Sequence, residues 1–374
     1  MIFGSGGIVT GLDVGTTSVK AATLKHGSTG AKLVGLALAE IDSSHDWAQA
    51  AAEATSAALS RSGAGKNTPI VTAVGGPGVS VKHVTFPDMP RQALAESIRW
   101  EARKHIPFEG SDFVLDFQPL EGANGGDNGE LQVLLAAVET GLLDRHVELL
   151  GGIGVEPDTV DLTPLALMNE VDEEGLLDHE ALAVIELGVK SITMAVYRRG
   201  GLFFARSIPL VGKVMRPKNV EPQDETEKTK DARPKDETEK TKDARPKDET
   251  EKTKDARPKD ETEKTKGARP KDKREKTKNE SGGDDAWTKV LLREVRRSLT
   301  FYHNETGKQG IDKIYLTGGR ALTPDIEKKM QSELAIATDI LNPLKNLKDV
   351  AVDLGELESE GPRFTVALGL ARRQ

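Results

Sequence analysis

Two stretches of this 374-residue chain place an acidic residue two positions before a glycine and follow the glycine with hydroxyl and ammonium side chains. The first is Asp13-Val14-Gly15-Thr16-Thr17-Ser18-Val19-Lys20, and the second is Glu186-Leu187-Gly188-Val189-Lys190-Ser191. A strand that closes into a tight glycine turn presents backbone N–H groups in a concavity suited to phosphate oxygens, and a hydroxyl or ammonium adds further donors. The acids, Asp13 and Glu186, are then placed to stand near a magnesium ion and its waters. One such turn is common in ordinary hairpins; two copies in one chain point to a shared ligand. A third element, Ile314-Tyr315-Leu316-Thr317-Gly318-Gly319-Arg320-Ala321, ends a strand with paired glycines before a helix starting near Thr323-Pro324. Glycines there let a nucleoside approach the backbone closely.

The elements that must position these turns are legible as alternating strand and helix patterns, which imply an α/β architecture. Strands are expected at 8–15, 19–24 and 33–41, followed by a helix at 47–62. Strands at 70–75 and 79–86, a helix at 91–104 and strands at 113–120 and 131–138 come next. Leu94, Ile98 and Ala102 share one face of that second helix. The opening meander recurs at 181–187, 192–197 and 201–209, so the chain reads as internally duplicated.

Composition narrows the chemistry. The chain has no cysteine, which excludes disulfides, thiolate metal sites and a cysteine nucleophile. No apolar run approaches the roughly 20 residues that span a bilayer, and the first residues lack the pattern of a signal peptide; a cytoplasmic location is expected. A net charge of −8 disfavours nucleic acid as a partner. From about Met215 to Asp285 the sequence repeats the twelve-residue unit Lys-Asp-Glu-Thr-Glu-Lys-Thr-Lys-Asp-Ala-Arg-Pro, four positive and four negative side chains with nothing large and apolar. Such a segment has no apolar surface whose burial offsets the entropy of ordering, and Pro234, Pro246, Pro258 and Pro270 break any helix, so 213–285 is expected to be a disordered charged insert.

In their order, the three turns resemble the phosphate-1, phosphate-2 and adenosine motifs of the actin and sugar-kinase superfamily. Within it the chain resembles the PilM family of type IV pilus assembly proteins, an actin-like ATPase family related to FtsA. The resemblance lies in Gly11 through Lys20, in Ile98-Arg99-Trp100-Glu101-Ala102-Arg103-Lys104-His105-Ile106-Pro107-Phe108 with Asp116-Phe117, and in Leu134 to Val138. It continues through Gly154-Val155-Glu156-Pro157, Val160-Asp161, Leu316 to Gly319, Asn342-Pro343 and Ala367 to Arg372.

The resemblance implies an actin-like (ribonuclease H-like) two-lobed fold with duplicated β-meander and helix cores and an inserted small α+β subdomain. The first lobe is expected at 1–70, 141–178 and 360–374, the subdomain at 71–140, and the second lobe at 179–212 and 286–359. It also implies ATP with Mg2+ between the lobes. Asp13, Gly15, Thr16, Thr17 and Lys20 would hold phosphates and metal from one side, and Gly188, Lys190 and Ser191, with Glu186, from the other. Gly318, Gly319 and Arg320 would pack the adenosine, with Glu294 and Arg297 as neighbours of base and ribose. Those last two also fit the solvated face of a helix whose apolar side is Leu291, Leu292, Val295 and Leu299.

The implied partner is the cytoplasmic tail of a PilN-like inner-membrane protein, received in a groove beside the subdomain. Other pilus platform proteins follow, with membrane recruitment through the partner and no direct insertion. Three departures bear on turnover. Glu186 stands where the superfamily has aspartate. Thr163, before Pro164, stands where hydrolytic relatives carry an acid, and a threonine does not serve as a base. The charged repeats occupy the place of the segment that caps the adenine. A slow ATPase at most, or a nucleotide-binding scaffold, is therefore expected. The alternatives are an FtsA-like division protein, whose C-terminal amphipathic helix is not seen here, a sugar-kinase-type phosphotransferase, and the cytoplasmic part of a type II secretion protein.

Overall fold

The computed structural model describes residues 7–28, 30–108, 110–120, 130–198, 201–210, 277–306 and 309–373, with the side chains of 277–285 and 305 left aside. Most of the expected insert lies outside the described residues. The architecture is that of the unit formed by Met1–Met215 and Gly282–Gln374. Two sheets organise it. The first has the order β3-β2-β1-β4-β8, from β1 (Ile8–Val14), β2 (Ser18–Gly27), β3 (Gly30–Glu40), β4 (Ile70–Val74) and β8 (Thr159–Leu162). The second runs β13-β12-β9-β10-β11-β5-β7-β6. Its members are β5 (Val79–Pro87), β6 (Phe113–Pro119), β7 (Glu130–Glu139), β9 (Ala181–Leu187), β10 (Ser191–Arg198), β11 (Gly201–Pro209), β12 (Lys313–Thr317) and β13 (Ala337–Ile340).

The duplication shows in the register. β1 and β2 form an antiparallel hairpin that sets Asp13 opposite Lys20, and β9 and β10 form another that sets Glu186 opposite Thr193. In each half a further strand joins the hairpin's first strand in parallel, β4 beside β1 and β12 beside β9. Parallel strands between helical layers are buried on both faces and read as apolar runs; β9 is buried at every position but Glu186.

Helices α1 (Trp47–Arg61), α3 (Thr140–Gly152), α4 (Thr163–Glu173) and α7 (Thr365–Ala371) belong to the first half. An alanine-rich face of α1, with Ala50, Ala51, Ala54 and Ala58, packs on Leu12, Val19 and Ala21. Helix α7 is buried throughout and crosses α4 at close quarters: a Cβ on Gly369 would fall 1.9 Å from the carbonyl oxygen of Ala166. Arg372 Nε donates to Glu170 at 2.6 Å beneath the crossing, and Arg373 pairs with the buried Asp161. In the second half α5 (Thr277–Glu305) and α6 (Ile326–Leu334) cover β9, β10 and β12, with Trp287, Leu291 and Val295 against Ile185, Met194 and Leu316. Helix α2 (Arg91–His105) lays Leu94, Ile98 and Ala102 toward β5 and β7, as the spacing predicts.

Three expected boundaries change. Residues 71–74 pair with β1 and β8, so β4 belongs to the first sheet and the subdomain begins after it; Val71 and Val74 are buried in one core with Val9. Leu344, Leu347, Val350 and Leu357 pack with Leu24, Leu33 and Phe364, so the chain returns to the first half well before 360. Finally, α5 begins at Thr277, inside the stretch expected as insert. Pro270 is the last proline of that stretch, and beyond it no ring bars a helix. No helix of the described residues is long and apolar enough to cross a membrane.

Candidate functional site

The two hairpin turns face one cavity of about 260 Å³ between the sheets. Asp13, Gly15, Thr16, Thr17 and Lys20 line it from the first half, and Glu186, Gly188, Lys190 and Ser191 from the second. Gly318 and Gly319, at the end of β12, also line it. Eleven of the residues singled out in the sequence therefore meet in one place.

The register explains the local chemistry. Because Lys20 lies directly across the hairpin from Asp13, its Nζ reaches Asp13 Oδ2 at 3.0 Å, with both side chains mostly buried. Glu186 sits between Thr193 on β10 and Thr317 on β12. Burial, reinforced by the charge of Asp13, pushes the Glu186 carboxyl up to about 7, against the pull of Lys20 and of a hydrogen bond from Thr193. Two carboxyls that resist sharing a site as anions are a favourable setting for a cation. Among the described residues no cluster of three or more acidic or histidine side chains exists, so a metal here would take most of its ligands from a bound polyanion and water.

Gly318, like Gly76 across the cavity, holds a backbone conformation that other residues rarely adopt. Its φ is +85°, and its N–H donates to the carbonyl of Pro362 at 2.9 Å. Thr317 Oγ1 donates to the same carbonyl at 2.8 Å. These bonds fasten the turn after β12 to the segment leading into α7, whose Thr365 and Val366 line the cavity as well.

Arg320, Glu294 and Arg297 do not line the cavity. The Arg320 guanidinium lies over the buried Trp287 ring, 4.9 Å from its centroid. Arg297 is exposed on α5, as the solvated-face reading has it, whereas Glu294 pairs with Arg293 at 3.0 Å and its side chain is largely buried. Lining residues outside the motifs include Trp47, Gly75, Gly76 and Arg363. Gly75-Gly76 after β4 repeats the strand-then-paired-glycine pattern of Gly318-Gly319 and was the one available signal. Arg363 is held by Glu360, three residues before it, at 3.0 Å and by a tertiary contact with Glu40 at 2.7 Å, for which the sequence carries no local sign.

Thr163 opens α4 and its hydroxyl is directed to the Val74 carbonyl at 3.4 Å. The carboxylates lining the cavity are Asp13, paired with Lys20, and Glu186. The arrangement can hold a polyanion and a cation.

The profile of the family described as type IV pilus assembly protein PilM matches residues 11–241 and 261–374. Among solved structures, the PilM-PilN type IV pilus biogenesis complex is similar over 97% of this chain and 97% of that one, at 21% identity and a TM-score of 0.69. A protein from Bacteroides thetaiotaomicron with an actin-like ATPase fold and unknown function aligns over 95% of each chain at 9% identity, with a TM-score of 0.44. The ethanolamine utilization protein EutJ from Carboxydothermus hydrogenoformans aligns over 97% of this chain and 89% of its own at 12% identity, with a TM-score of 0.41. The fold is actin-like and two-lobed, and with the family profile matching along most of its length the chain belongs to the PilM family of type IV pilus assembly proteins.

Proposed function

We propose that this chain is the nucleotide-holding component of a type IV pilus assembly platform, binding ATP with Mg2+ in the cleft between its two lobes. The observation that carries the reading is the convergence of the Gly15 and Gly188 turns on one cavity. In this reading Lys20, Lys190 and the hydroxyls of Thr16, Thr17 and Ser191 hold the phosphates. Asp13 and Glu186 hold the metal side, and Gly318 and Gly319 take the nucleoside. Thr163 leaves the attacking water without a base, so the nucleotide serves mainly as a structural ligand and turnover is slow at most. Calorimetric titration of the full chain with Mg-ATP tests this. Asp13→Ala is expected to weaken binding at least about tenfold, and equal affinity in variant and parent removes Asp13 from the site.

The partner reading is that a tail of a PilN-like membrane protein docks beside the subdomain and holds the chain at the cytoplasmic face of the membrane. It is supported by the solved PilM-PilN complex and by a groove of about 600 Å³ here, where Phe117, Leu134 and Leu165 provide apolar walls and Arg91, Asp116 and Arg373 polar ones. A peptide of such a tail is expected to raise the melting temperature by mass action, and no shift at saturation overturns the assignment.

A further inference from the structure

Among the described residues, the first phosphate turn is braced from outside the hairpin in a way the second is not. Thr17 accepts a hydrogen bond from the Ile41 N–H at 2.8 Å, and the duplicated turn repeats it, Lys190 accepting from Leu210 at 2.8 Å. The carbonyl of Thr16, however, also accepts from the indole Nε1–H of Trp47 at 2.9 Å, across 31 residues of sequence. Among the described residues nothing donates to the corresponding carbonyl of Val189. The indole bond is thus an addition, from outside the hairpin, to the bonds that the two turns share.

The bond fixes an orientation. In a trans peptide the carbonyl of one residue and the N–H of the next point in opposite directions. Holding the Thr16 carbonyl toward the indole turns the Thr17 N–H away from it. Neither the Thr16 nor the Thr17 N–H donates to another group among the described residues, and both residues line the cavity. Trp47 is itself held: it is the first residue of α1, whose preceding Asp46 accepts from the N–H groups of Ala48 at 3.0 Å and Gln49 at 3.3 Å. Trp47 is 45% exposed and stands outside the buried cluster that the rest of α1 joins.

We propose that Trp47 is a positioning residue of the anion site: its indole N–H pins the peptide between Thr16 and Thr17 so that the Thr17 N–H donates to a phosphate oxygen of the bound ligand. This rests on the nucleotide reading above and adds to it a residue that acts on the phosphates through the backbone.

The test titrates the full chain, Trp47→Phe and Trp47→Ala with Mg-ATP and with inorganic tripolyphosphate, and follows the Thr17 amide by NMR. The phenylalanine keeps a ring and loses the donor. Both variants are expected to bind both probes about tenfold more weakly at unchanged melting temperature, the loss expected for one hydrogen bond to a charged group. In the parent the Thr17 amide signal is expected to move on adding tripolyphosphate. Parent-like affinity in Trp47→Phe overturns the proposal and leaves the nucleotide reading standing. So does a loss confined to ATP, or a Thr17 signal that stays put while the probe binds. A parent that binds neither probe overturns both.

Discussion

A Cβ placed on Gly318 would stand 2.8 Å from the carbonyl oxygen of Leu187 and 2.9 Å from its amide nitrogen. The turn that ends β12 is thus pressed onto the backbone of the residue preceding Gly188, and one side of the cleft is a single packed layer of two turns. Gly318→Ala meets both this contact and a φ of +85°. It is expected to cost roughly 2 to 4 kcal/mol, the sum of backbone strain and overpacking. Urea unfolding measures it, and a loss below about 0.5 kcal/mol refutes the close-packed description.

The buried pair Glu170 and Arg372 makes stability depend on pH. Despite the guanidinium 2.6 Å away, burial pushes the Glu170 carboxyl from 4.5 up to about 7. The folded chain then holds this proton more tightly than the unfolded one. The penalty is absent below 4.5 and grows as pH rises to about 7. Glu170→Gln removes it, so the variant is expected to gain on the parent by on the order of 3 kcal/mol between pH 4.5 and 7. A stability difference that is flat or falls over that range shows that Arg372 keeps the carboxylate charged.

Gly369→Val is expected to prevent α7 from seating on α4. The added side chain would begin 1.9 Å from the Ala166 oxygen, backbone against backbone, with no flexible group to yield. The expected result is an insoluble chain, or one without near-ultraviolet circular dichroism. A soluble variant that melts within a few degrees of the parent contradicts the contact.

Turnover offers a fourth check. Thr163 lines the cavity at the head of α4, where an acid has both helix-terminal stabilisation and access to the cavity. If the nucleotide reading holds, Thr163→Asp is expected to raise phosphate release from Mg-ATP about a hundredfold above the parent, the range a positioned base supplies. Unchanged release shows that the missing base is not what limits hydrolysis.

The sequence made the hairpins and their acids legible because short strands between helical layers advertise themselves by period and by glycine at the turn. Asp13, Lys20 and Glu186 were found for that reason, and the register then paired them. What lay hidden depends on contacts between distant segments. Trp47 reaches Thr16 from the far end of a loop, Arg363 arrives with α7, and β4 shows its sheet membership only through partners on both sides. The helix expected near Thr323 starts instead at Ile326, because Gly319–Leu322 first forms a 3-10 turn and Asp325 takes a left-handed conformation with φ +57°. Arg320 follows from the same turn: its side chain is drawn onto Trp287, which no local pattern signals.

The subdomain strands have a divided allegiance. Covalently β5 and β7 hang from β4 and α3 of the first half, yet β5 is stitched edgewise to β11 of the second by only two residue pairs, Phe204 with Lys82 and Ala205 with Val81. His83 adds a side-chain bond to the Leu202 carbonyl beside them. The subdomain is thus tied to both halves, to the first through the chain and to the second along this short seam, beside a buried core in which Val9 and Val71 already pack with Leu182 and Val184.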